Sequence, residues 1–204
     1  MYNLLKPLAT REELLKRKVR IFTNQEFARL FELSPYQTKY YLNQLIEEGL
    51  LARLRRGFYT LKTDPPSEEE VANAIYKPSY ISFEYALAYH NIIPEMTYHI
   101  TSATTRPTQL FSTDNISFAY YTIKPEAYAG YSLVQRGERR FLMAEPEKAL
   151  VDYLYMIALG DRAITGGKSV NDRMELSSLN KDKVLEYAKL YDYSKLDELI
   201  KEVL

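Results

Sequence analysis

Three Ser/Thr-x-x-Glu/Gln patterns follow one another closely near the start of the chain: "TREE" (Thr10, Glu13), "TNQE" (Thr23, Glu26) and "SPYQ" (Ser34, Gln37). In a capping box the hydroxyl accepts from the amide three residues on, and the Glu or Gln side chain reaches back to the cap amide. One such pattern is common in any sequence. Three in 28 residues predict three short helices, over Arg11 to Lys18, Asn24 to Glu32 and Pro35 to Glu48. Pro35 sits where a first-turn proline loses no hydrogen bond. Tyr41, Leu42, Leu45 and Ile46 form an apolar stripe at helical spacing. Gly49 suits the left-handed position that ends a helix. Between the second and third helices, Leu33 and Ser34 leave room for a tight turn alone.

The next stretch, "LLARLRRGFYTL", reads as two strands, Leu51 to Leu54 and Phe58 to Leu61, bent at Arg55-Arg56-Gly57. A leading helix, two helices joined by a tight turn and a following hairpin describe a winged helix-turn-helix. The charge agrees: Met1 to Lys62 holds 12 Lys/Arg against 6 Asp/Glu, whereas the whole chain balances at 27 and 27. The basic third is therefore the part suited to a polyanion. Opposite its apolar stripe the third helix carries Tyr36, Gln37, Lys39, Tyr40 and Asn43. Amides pair with adenine, lysine with guanine or phosphate, and tyrosine with phosphate or a thymine methyl. Arg53, Arg55 and Arg56 on the hairpin suit phosphate or minor-groove contact. The same residues also fit a solvated helix face, and winged helices also serve as protein-interaction modules.

Beyond the wing, "KTDPPSEEE" reads as a linker, with a fourth capping box at Ser67 and Glu70. A short helix to about Tyr76 should bury Val71, Ala74 and Ile75. A helix over Phe83 to Asn91 follows, then strands over Tyr98 to Ala103, Ile116 to Ile123, Tyr131 to Gln135 and Arg139 to Met143, rich in aromatic and β-branched residues. Gly137-Glu138 marks a hairpin turn. "AEPEKALVDYLYMIALG" is a helix opened by Pro146 and closed by Gly160, with Ala149, Leu150, Tyr153, Leu154, Ile157 and Ala158 inward. Lys148 and Asp152, one turn apart and off that stripe, read as a surface ion pair. Residues 160–180 read as a mobile loop with room for a turn of helix, and two short helices end the chain. The expected class is α+β: a winged helix-turn-helix over 1–63, then a mixed α/β domain over 64–204 with a small sheet and flanking helices.

Chemistry finds little footing. With no cysteine there is neither disulfide nor thiolate ligand. His90 and His99 lack metal-ligand spacing and read as packed or hydrogen-bonded. "TGGKS" (Thr165 to Ser169) fails as a phosphate loop, because the pattern needs glycine where Arg162 stands. Glu145 and Lys148 are three apart, the wrong spacing for a Glu-x-Lys nuclease site. No apolar run approaches the ~20 residues that span a bilayer, and no secretory leader is evident, so a cytoplasmic protein without cofactor, metal or membrane contact is expected.

Four segments in order, "GFYTL", "YISFEYALAYHNII", "FAYYTIKPEAYAGY" and "FLMAEPEKALVDYLY", resemble AbiEi-type antitoxins, regulators of type IV toxin–antitoxin systems of phage defence. The resemblance covers Ile21 to Leu159, and "AEPEKALVDYLY" is its most specific part. It implies a winged helix that binds repeats of double-stranded DNA in its own promoter and represses the operon. It also implies a second domain that counteracts a nucleotidyltransferase-type toxin without requiring a stable complex. Glu147, Lys148 and Asp152 are the matching positions there, as family architecture or as a partner surface. Three functional classes stay open: a repressor and antitoxin, a winged-helix regulator whose acidic domain senses a small ligand, and a winged-helix-tethered enzyme. Oligomeric state is not legible.

Overall fold

The computed structural model describes residues 6–95, 98–112, 116–160, 170–171 and 173–204. Two compact units divide between Ile75 and Tyr76, rather than after Thr63. The first contains α1 (Pro7–Lys16), β1 (Ile21–Thr23), α2 (Asn24–Leu30), α3 (Pro35–Glu47), β2 (Leu51–Arg55), β3 (Phe58–Leu61) and α4 (Glu68–Ile75). Its sheet runs β1-β3-β2, antiparallel throughout.

Two of the three early capping boxes form as expected. Thr23 N donates to Glu26 Oε2 at 2.7 Å and Glu26 N to Thr23 Oγ1 at 3.2 Å. Ser34 N donates to Gln37 Oε1 at 2.9 Å and Gln37 N to Ser34 Oγ at 3.3 Å. The later box forms too, between Ser67 and Glu70. "TREE" does not cap. Pro7 opens α1 a turn earlier, so Thr10 is buried inside the helix and its hydroxyl donates to Lys6 O at 3.1 Å. The helix correspondingly ends at Lys16. Strand β1 was not foreseen. It is three residues long, too short to show alternation, and depends on β3 some 35 residues away.

The core of this unit gathers Leu14, Phe22, Phe27, Tyr41, Leu42, Leu45, Leu51, Tyr59 and Leu61. Phe22 stacks between Phe27 (5.5 Å) and Tyr59 (6.1 Å), so β1 locks α2 to the hairpin. On α4, Val71, Ala72 and Ile75 are buried; Ala74 is half-buried.

The second unit holds a six-stranded mixed sheet in the order β6-β7-β5-β4-β9-β8. Its strands are β4 (Ser79–Ile81), β5 (His99–Thr104), β6 (Gln109–Ser112), β7 (Ser117–Thr122), β8 (Tyr131–Arg136) and β9 (Arg139–Ala144). Central β4 pairs antiparallel with β5 and parallel with β9. Three strands of four residues or fewer, β1, β4 and β6, escaped the sequence reading. Among the described residues the α-helices of this unit are α5 (Phe83–Tyr89), α6 (Pro146–Leu159), α7 (Lys181–Lys189) and α8 (Ser194–Val203). Helix α6 packs against α5, α7, α8 and β9. It is therefore enclosed: every residue from Glu147 to Met156 is buried, where one apolar stripe was expected. Gly160 ends it in the left-handed conformation, φ +66°.

Gly130 marks where the sheet meets this helical layer. Its φ is +73°, and a Cβ there would lie 2.7 Å from the Tyr187 ring and 3.0 Å from Lys148 Cγ. Tyr187 cannot swing away freely, because its hydroxyl donates to Glu145 Oε2 at 2.8 Å. Gly130→Ala should destabilise the protein by about 2–4 kcal/mol in urea unfolding, combining left-handed strain with overpacking. Gly137→Ala, at a similar φ of +62° but in open space, should cost about 1 kcal/mol. Equal losses would refute the packing role of Gly130.

Candidate nucleic-acid interface

The turn between α2 and α3 is held locally. Glu32 takes a positive φ of 52°, Leu33 N donates to Ala28 O at 2.9 Å, and Phe27 packs on Phe31 at 4.7 Å. Ser34 then caps α3, and Thr38 is buried with its hydroxyl on Ser34 O at 2.8 Å. With Thr38, Tyr41, Leu42 and Leu45 turned into the core, the opposite face is fixed by the helical period. Tyr36, Lys39, Tyr40 and Asn43 are all exposed. Their spacing, i, i+3, i+4 and i+7, makes one stripe along the first two turns and beyond. Glu47 and Glu48 are exposed at the far end.

Gln37 is not in that stripe. It is half-buried, and its side-chain oxygen is engaged by Ser34 N, so pairing bidentately with a base would break the capping box.

In the hairpin, the bend is the two-residue Arg56-Gly57 loop, with Gly57 at φ +87°. The register shifts between Arg53 and Arg55, so Leu54 is the extra residue of a β-bulge. The three arginines consequently differ. Arg53 is exposed, its guanidinium 5.7 Å from the Tyr59 ring. Arg56 is exposed at the tip. Arg55 is half-buried: it turns back, donates to Ile75 O at 2.8 Å and lies 5.6 Å from the Phe58 ring. It thereby braces the hairpin against the end of α4.

Including α4 changes the charge of this unit. Met1 to Ile75 carries 12 Lys/Arg and 10 Asp/Glu, because Asp64, Glu68, Glu69 and Glu70 join it. Any attraction of this unit to a polyanion therefore rests on where its basic residues lie more than on its net charge. Sequence reading also missed an open cleft lined by Arg17, Lys18, Arg20, Phe22 and Glu26, where Arg20 is paired with Asp64 at 3.0 Å.

Glu147, Lys148 and Asp152 require correction. They are neither a surface ion pair nor a contact surface, because Lys148 and Asp152 have no exposed area and Glu147 is 8% exposed. Helices α7 and α8 cover them, and residues that far along the chain leave no trace in the local spacing of α6. Lys148 Nζ donates to Asp152 Oδ1 and to the Tyr191 hydroxyl at 3.1 Å, 4.7 Å from the Tyr191 ring centroid. Asp152 also accepts from Tyr191, from Tyr80 at 3.0 Å and from Ser82 at 2.6 Å. Burial pushes the Lys148 ammonium below its ordinary pKa, opposed by the Asp152 carboxylate. Burial first, and then the same carboxylate, push the Tyr80 and Tyr191 hydroxyls well up. Both tyrosines remain protonated and donate. Glu147 accepts from Asn180 N at 3.2 Å.

Among the described residues no group of three His, Asp or Glu is placed to hold a metal ion, and no helix is long and apolar enough to cross a membrane. His90 Nε2 lies 2.9 Å from Ala144 O, while His99, expected to be packed or hydrogen-bonded, is exposed. "TGGKS" lies outside the described residues, as does much of the segment expected to form a mobile loop.

A transcriptional regulator is the class to which the first unit compares. Residues 12–62, from α1 to the end of the hairpin, match the family model for AbiEi antitoxin transcriptional regulators, which supports the AbiEi-type resemblance. No curated protein matches the chain.

The partners of the buried pair are unequal, four donors around Asp152 against two acceptors around Lys148. Asp152→Ala should therefore cost about 3–5 kcal/mol in denaturant unfolding, since it strands a buried ammonium. Lys148→Met, which leaves the carboxylate three hydroxyl donors, should cost less. The opposite order would contradict this account of the cluster.

Proposed function

We propose that the first unit is a winged helix-turn-helix that binds double-stranded DNA of its own promoter as a repressor, and that the second unit supplies the antitoxin activity. The carrying observation is the exposed stripe Tyr36, Lys39, Tyr40 and Asn43 on a helix whose other face is core, within residues that match an antitoxin regulator family. Helix α3 enters the major groove with its N-terminal half toward the base edges. Arg53 and Arg56 on the hairpin neutralise phosphates, while Arg55 holds the hairpin in place. Repeated sites in the operator position successive copies. The second unit counteracts a nucleotidyltransferase-type toxin in the cytoplasm, and neither activity involves catalysis.

Fluorescence anisotropy with DNA from upstream of the protein's own gene, titrated across a salt series, tests the reading. Specific binding should weaken steeply with salt. Arg56→Ala should flatten the log–log slope by about 0.9, the loss of one phosphate contact. Arg55→Ala should leave that slope unchanged even if affinity falls, because its guanidinium is spent on Ile75 O. Binding no tighter than to unrelated duplex would refute the repressor. The antitoxin half stands on a separate outcome, rescue of growth when this protein is co-expressed with the product of the neighbouring reading frame; absence of rescue would remove it.

A further inference from the structure

We infer that α3 reads thymine methyl groups, through the rings of Tyr36 and Tyr40, and so selects A·T-containing sites. The inference rests on the DNA-binding reading above and specifies what that surface recognises. Tyr36 is 82% exposed and Tyr40 54%, two large apolar rings one helical turn apart on the stripe. Tyr40 is held edge-on against buried Tyr41, centroids 5.3 Å apart at 74°, so its ring is presented in a set orientation.

The rest of the stripe fits the same target. A thymine offers the major groove a methyl group, and its adenine partner offers N6 and N7 to an amide. Asn43 supplies that amide, whereas Gln37 is occupied in capping. Among the exposed stripe positions before Glu47 there is no carboxylate to accept from cytosine N4, and no arginine fork for guanine. Lys39 is the single cation on the stripe, suited to guanine or phosphate. Four residues of helix rise about 6 Å, roughly two base-pair steps at about 3.4 Å each. The two rings are therefore spaced for two methyl groups about two steps apart.

Preparing the upstream fragment once with dTTP and once with dUTP, the latter from uracil-containing primers, removes every thymine methyl and leaves the base pairing unchanged. Burying one methyl group is worth about fourfold in affinity. With two methyl groups, wild-type protein should thus bind the uracil fragment about fifteenfold more weakly. The Tyr36→Ser/Tyr40→Ser variant, measured at low salt where residual binding persists, should bind the two fragments equally. Equal wild-type affinity for both fragments would overturn the inference while leaving the DNA-binding reading intact. So would a double variant that discriminates as well as wild type, since the effect would then come from the shape of uracil DNA. If wild-type protein binds neither fragment better than unrelated duplex, the DNA-binding reading itself fails and takes this inference with it.

Discussion

The first unit depends on a reciprocal pair of hydrogen bonds between Ser34 and Gln37. They end the turn and begin α3 at Pro35, and from there the helical period, about 100° per residue, decides which side chains share a face. With the start fixed, Tyr41, Leu42 and Leu45 reach the core together, and Tyr36, Lys39, Tyr40 and Asn43 are left facing solvent together. Burial and exposure on α3 are one decision. The exposed aromatic stripe follows from the same packing that stabilises the unit.

In the second unit the organising constraint is different. An ammonium and a carboxylate lie wholly inside the helical layer, where each needs several partners to offset the loss of water. Those partners come from Tyr80 in central strand β4, from Ser82 just past it, and from Tyr191 between the last two helices. One polar cluster therefore ties two distant stretches of chain to α6. Such a cluster has little tolerance for alternative packings, because any shift leaves a buried charge unpaired.

The hairpin shows how nearly identical residues separate. Arg55 and Arg56 are adjacent in sequence and chemically the same, yet the bulge at Leu54 turns one onto the protein and leaves the other at the tip. The bulge itself has no sequence signature beyond the nearby glycine. A similar divergence separates Gln37 from Asn43. Both are amides on α3, but one lies at the third helical position, where the cap claims it.

The sequence by itself determined what depends on neighbours within about one helical turn. The caps at Thr23, Ser34 and Ser67 and the left-handed ends at Gly49 and Gly160 were legible, as was the buried stripe of α3 with the face opposite it. These are contacts between residues three or four apart, written directly in spacing. Tertiary structure decided what depends on partners elsewhere in the chain. It placed Thr10 inside a helix opened by Pro7, recruited the short strands β1, β4 and β6 into sheets, and turned Arg55 onto α4. Above all it buried Lys148 and Asp152. Their spacing permits a surface ion pair equally well, and it is the cover contributed by Tyr80, Ser82 and residues 181–203 that removes them from water.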